Sequence, residues 1–186
     1  MSETRPVLLA MDFQQGIIDR AGGGAALEAV GRAIEAARGA GIPVMYVRVA
    51  FRPGYPEAAA ANRTFGAISQ AGDMMTQDHP ATQLHADLPV RPDEPVIVKR
   101  RVSAFSGSDL DVLLRGAGAN ALVLAGISTS GVVLSTLRQA ADLDCGLTVL
   151  SDACVDPDEE LHRVLTEKIF PRQATVTTTG EWIKSL

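Results

Sequence analysis

The sequence predicts an α/β protein built on a parallel sheet, and two observations predict it. Short β-rich runs alternate with segments of helical period along the chain, the pattern of repeated strand–helix–strand crossovers. Most of those β runs are near-continuously apolar, which suits strands covered by helices on both faces. A length of 186 residues fits one domain, residues 1–186, with room for a substantial core.

The strand candidates, in order, are 6–11 (PVLLAM), 43–49 (PVMYVRV), 95–98 (PVIV), 121–125 (ALVLA), 147–151 (LTVLS) and 174–178 (ATVTT). Four helices fall between them. Residues 24–39 place Leu27, Val30, Ile34 and Ala37 at helical spacing, and Gly39 and Gly41 punctuate the end before Pro43 opens the next strand. Residues 108–116 start at a Ser108 or Asp109 cap and carry Leu110, Leu113 and Leu114. Residues 131–143 are apolar nearly all round (Val132, Val133, Leu134, Leu137, Ala140, Ala141), which predicts a central helix. Residues 157–169 open with Pro157 after Asp156, an N-cap and first-turn pair, with Leu161, Val164, Leu165 and Ile169 as the buried stripe.

The segment 50–94 has no firm period. A connection that long is rarely idle in a compact domain. It reads as an irregular excursion, with a short helix near 57–62, that roofs the active site or meets another subunit. The GGG at 22–24 does not directly follow the first strand and lacks the GxGxxG arrangement, so it is no dinucleotide fingerprint.

Composition excludes several classes. A net charge of −5 argues against a nucleic-acid surface, and the only basic run, Lys99-Arg100-Arg101, reads as a strand end. No apolar run reaches the roughly 18 residues of a membrane-spanning helix. The polar start MSETRP has no signal-peptide core, so a cytoplasmic location is the expectation. Cys145 and Cys154 have no zinc spacing and read as free, buried thiols.

Chemistry is expected beyond the carboxyl ends of the strands, where ligands of open parallel sheets bind. Asp12 follows strand one, Lys99 closes strand three, and the turn 126–131 leads from strand four into a helix N-terminus suited to an oxyanion. Each has a plainer alternative. Asp12 could cap a helix, Lys99 could be solvated, Gly126 and Gly131 could simply allow a tight turn, and Ser128, Thr129 and Ser130 could merely cap the next helix. Their joint placement at three strand ends favours function.

These residues also form a recognisable set: Asp12-Phe13-Gln14; Lys99 followed by Ser103-Ala104-Phe105 and Ser108-Asp109-Leu110; and Gly126-Ile127-Ser128-Thr129-Ser130-Gly131-Val132-Val133-Leu134-Ser135-Thr136. Ser151-Asp152-Ala153 and the His162 helix fit the same pattern. The chain resembles the isochorismatase-like superfamily of isochorismatases, nicotinamidases and other cysteine hydrolases, over essentially its whole length. The resemblance implies a Rossmann-like, three-layer α/β/α sandwich with a six-stranded parallel sheet, and homodimers or homotetramers. It implies Asp12 as proton acceptor and donor and Lys99 as its electrostatic partner. It further implies an oxyanion hole at the amides of Ser128 and Val132, a cis peptide at Ile127–Ser128, and Gln14, Phe105 and Ser130 as substrate contacts, with no cofactor.

The nucleophilic cysteine of that pattern falls at Val132, which closes the thioester route. Asp78, His79 and His85 do not form the nicotinamidase-type ligand pattern, so no metal is expected. Cys154 stands near the end of strand five and reads as a structural thiol. Isochorismatases of the superfamily work without the cysteine, protonating a vinyl ether with a general acid. The first reading is therefore a hydrolase of a small anionic or amide-type metabolite, using Asp12 and Lys99. The second is an inactive homologue that serves as a binding or oligomeric partner. A third, Ser128 or Ser130 as nucleophile, lacks an evident base.

Overall fold

In the computed structural model, which describes residues 3–186 and so leaves Met1 and Ser2 of the polar start outside, six strands form one parallel sheet. They are β1 (Pro6–Met11), β2 (Val44–Val49), β3 (Val96–Lys99), β4 (Ala121–Ile127), β5 (Gly146–Val155) and β6 (Thr175–Thr177). Their spatial order is β3-β2-β1-β4-β5-β6, and every neighbouring pair runs parallel. The chain winds outward from β1 to β3, then returns to lay β4 on the other side of β1. That reversal opens a crevice between the carboxyl ends of β1 and β4.

The pleat distributes the core to both faces. Val7, Leu9 and Met11 of β1 pack with Leu122, Leu124, Leu110, Leu114, Leu137 and Ala140. Leu8 and Ala10 face the opposite way, onto Leu27, Val30, Ile34 and Ala37. The helices are α1 (Gln15–Ala21), α2 (Gly24–Gly39), α3 (Leu110–Gly116), α4 (Leu134–Asp142), α5 (Glu159–Val164) and α6 (Thr179–Lys184). The three-layer α/β/α sandwich expected from the sequence is the observed architecture.

Several elements differ from expectation, each for a local reason. Helix α1 was not foreseen, because its N-cap Gln14 makes no side-chain capping bond and Gly16 sits in its first turn. The short helix expected near 57–62 does not form. Asn62 instead accepts hydrogen bonds through Oδ1 from the Thr64 and Phe65 amides, 3.0 and 2.9 Å, fixing a turn. An isolated helix that short lacks the length to repay its nucleation. At α5 the cap is Asp158, which accepts from the Glu160 and Leu161 amides. Asp156 points elsewhere, and Leu161, placed by the sequence in the buried stripe, is 45% exposed. Strand β5 continues to Val155 because the register shifts between Leu124 and Gly126, pairing Gly126 with Cys154.

The 50–94 excursion folds over the ends of β1, β2 and β3. Phe51, Tyr55 and Phe65 form a small apolar cluster with Val49. Backbone bonds tie the excursion to the segment after β1, with the Gln15 amide on Gln83 O (3.0 Å) and the His85 amide on Phe13 O (2.9 Å). Among the described residues, no helix is long and apolar enough to cross a membrane.

Candidate active site

Asp12 is the first residue past β1. Its amide still donates to Val47 O at 2.8 Å, and its φ of 59° turns the chain sharply out of the sheet. That left-handed conformation is one Asp enters more readily than most side chains. Helix α1 starts only at Gln15, so Asp12 is not its cap. Lys99 ends β3, two strands away, and its side chain reaches back across β2. Its Nζ lies 2.8 Å from Asp12 Oδ2 and donates to the carbonyls of Arg101 (3.1 Å) and Val102 (3.0 Å). An ammonium has three hydrogens, and all three are engaged. Lys99 is 2% exposed and Asp12 4%, which removes the solvated-lysine reading.

The pair is electrostatically unequal. Asp12 Oδ1 is buried with no protein hydrogen-bond partner. Burial pushes the Asp12 carboxyl above its ordinary value, and the attraction of Lys99 opposes that shift without cancelling it. A neighbouring cation favours the ionised acid, whereas burial favours the protonated one. Here desolvation wins, and the one unengaged polar atom of the pair belongs to the acid.

Beside the pair, β4 ends at Ile127, whose bond to Ser128 is cis, as the resemblance implied. Thr129–Val133 then form a π-type turn that runs into α4. Ser128 caps it: its hydroxyl accepts from the Gly131 amide at 3.1 Å. Thr129 Oγ1 shares a 2.8 Å hydrogen bond with His162 Nδ1, and the Ser130 amide donates to Asp156 Oδ2 at 2.7 Å. The turn is thus held from the β5–α5 side by two residues that sequence reasoning had not placed there. His162 entered the sequence reading only through the family pattern, and Asp156 only as a helix cap.

Val132 is 2% exposed and packs in the same apolar cluster as Phe105, Met11 and Cys154. A Cβ on Gly126 would come within 3.2 Å of Val132 Cγ1 and 3.0 Å of Met11 O. Glycine there lets the valine side chain lie against the strand ends. Cys154 is also buried, and burial holds its thiol up at about 12, so it behaves as core.

Of the three side chains expected at the substrate, one takes a different position. Gln14, expected as a substrate contact, is 1% exposed. Its amide nitrogen donates to Val49 O and Thr82 O, and its Oε1 accepts from the Val49 amide. Both its donor hydrogens fasten the excursion to β2, because a loop crossing a strand end needs backbone partners. Phe105 packs in the core cluster with Val132, while Ser130 remains partly exposed. His79 and His85 each use Nδ1 to accept a nearby backbone amide. Among the described residues, no group of three or more His, Cys, Asp or Glu could hold a metal ion.

Fold and site together define a Rossmann-like α/β protein with a buried acid–cation pair at its switch point and an amide-rich turn beside it. The chain belongs to the isochorismatase family: the Isochorismatase domain model matches residues 6–181. The isochorismatase family protein YecD of Escherichia coli O157:H7 is 36% identical over 185 residues, covering 96% of this chain and 95% of its own. The ureidoacrylate amidohydrolase RutB of Methylobacterium radiotolerans is 34% identical over 185 residues, covering 87% of this chain and 72% of its own. The structure of an isochorismatase family protein from Burkholderia thailandensis superposes with a TM-score of 0.87 at 27% identity, covering 100% of this chain and 97% of the other.

Proposed function

We propose that this hydrolase acts on a small anionic or amide-type metabolite without a covalent thiol intermediate. Asp12 serves as general acid and base, and Lys99 is its fixed electrostatic partner. The observation that carries this is the 2.8 Å Asp12–Lys99 contact with Asp12 Oδ1 left bare. Amides at Ser128 and Val132 would face developing negative charge, with Phe105 and Ser130 bordering the substrate. On a vinyl ether such as isochorismate, Asp12 gives its proton to the methylene carbon. Water adds to the resulting oxocarbenium carbon and returns a proton to Asp12. The hemiketal then breaks its bond to the ring oxygen, releasing pyruvate and the ring alcohol. RutB supplies the amide-type candidate, ureidoacrylate.

The test is turnover of isochorismate, read as pyruvate, and of ureidoacrylate, read as ammonia. Activity on one of them should fall by about 10²–10⁴ in Asp12→Asn, the usual share of a positioned acid–base group. No turnover of either above the Asp12→Asn background would remove the proposal. One observation favours the second reading, a homologue that binds without turnover: Asp12, Lys99 and Val132 are all nearly sealed from solvent. Saturable binding of either compound with no product would support it. We further propose a homodimer or homotetramer, with the 50–94 excursion roofing the site.

A further inference from the structure

Helix α1 starts three residues after Asp12 and runs beside the end of β4. Two cavities flank it. One, of about 250 Å³, is lined by Ile17, Arg20, Ala21, Ile127, Ser128 and Pro157. Its wall therefore includes the Ile127–Ser128 peptide that opens the turn. The other, of about 390 Å³, lies on the excursion side and includes Gln14, Ile17, Asp19, Arg20, Met74 and Met75. Ile17 and Arg20 line both, so Arg20 stands at the junction.

The remaining walls are mainly apolar, and Arg20 is the one cationic side chain in either lining. Its Nε donates to Gly16 O at 2.8 Å, one turn back along α1. That bond orients the guanidinium and leaves both terminal nitrogens without an ion pair among the described residues. Two carboxylates border the cavities, Asp19 in the lining of the second and Asp156 next to Pro157 of the first, and each accepts hydrogen bonds of its own. Asp19 accepts from Gln15 Nε2, and Asp156 accepts from the amides of Ser130 and Asp158. A guanidinium with two free, parallel donors matches a carboxylate.

We propose that Arg20 is the specificity-determining residue of the site. It takes one carboxylate of a small anionic substrate whose reacting end lies toward the Ile127–Ser128 peptide, with Ile17 against its apolar body. This rests on the hydrolase reading above and adds to it which end of the substrate is read, and by what. Nothing in the sequence pattern singled out Arg20, since it lies on a helix the pattern did not predict.

Binding, measured separately from turnover, tests it. Isothermal titration calorimetry would compare succinamate, which carries one carboxylate and one amide, with succinamide, its neutral counterpart, on the intact protein. Wild type should bind succinamate at least tenfold more tightly than succinamide. Arg20→Gln should erase that preference without weakening succinamide, and Arg20→Lys should restore part of it. Asp12→Asn should retain the preference while losing turnover, so a failed reaction and a failed carboxylate site give different results. Equal affinity for the two probes in wild type, unchanged succinamate binding in Arg20→Gln, or equal loss of both probes in that variant would overturn the proposal.

Discussion

Lys99 has every ammonium hydrogen engaged, while Asp12 keeps one oxygen bare. On the proposed chemistry, that asymmetry would make the aspartate the reactive partner and the lysine its fixed counter-charge. Both residues were legible in the sequence because a charged side chain directly after an apolar strand marks the ligand-binding rim of a parallel sheet. Gln14 was legible as a position but not as a role. Nothing in Asp-Phe-Gln reveals that Val49 and Thr82 will occupy its amide, since both partners come from more than thirty residues away. The proposed sulfur-free chemistry makes a prediction at this scale. Treating the native protein with iodoacetamide at pH 8 should leave turnover unchanged. Cys154 should stay unmodified until the protein unfolds, because its thiol is buried and held at about 12. Parallel loss of activity and alkylation of Cys154 would contradict this.

Among the elements, the β4-to-α4 turn carries the most information. It is built by a cap at Ser128, two outside anchors from Asp156 and His162, and a glycine at 126 that admits Val132. Gly126→Ala should cost about 1–3 kcal/mol in urea unfolding, the usual penalty of overpacking, because the new methyl meets Met11 O and Val132 Cγ1. An unchanged unfolding midpoint would show that the turn is looser than described. The strands and α2 were legible because their apolar patterns are long and regular. Helix α6 was equally open to reading, since Thr178 and Glu181 form a capping box, but it is too short for its periodicity to stand out. The 57–62 segment misled because four successive alanines suggest a helix, whereas Asn62 turns the chain with its own side chain.

For the whole molecule, the strand order matters most. Winding out to β3 and back to β4 places Asp12, Lys99 and the amide-rich turn at one rim, and the excursion closes over β1 and β2 beside them. Sequence periodicity located each strand but not this order, which depends on long-range packing. Light scattering on the purified chain should report a dimer or tetramer, and a monomer at micromolar concentration would remove the oligomer proposal. Burial by the surrounding fold is what raises the Asp12 carboxyl. Its contribution to stability is therefore fully present below the ordinary value of 3.8 and is lost as pH rises through the folded-state value, opposite in sign to an ordinary salt bridge. The protonated form is also the one that can donate, so turnover should fall over that same upper range. Carbon-13 NMR titration of the Asp12 carboxyl in the folded protein measures this directly. It should titrate above 3.8 and move higher still in Lys99→Met, which removes the opposing cation. A carboxyl that ionises at or below the ordinary value would leave no acid at the rim and would contradict the proposed chemistry.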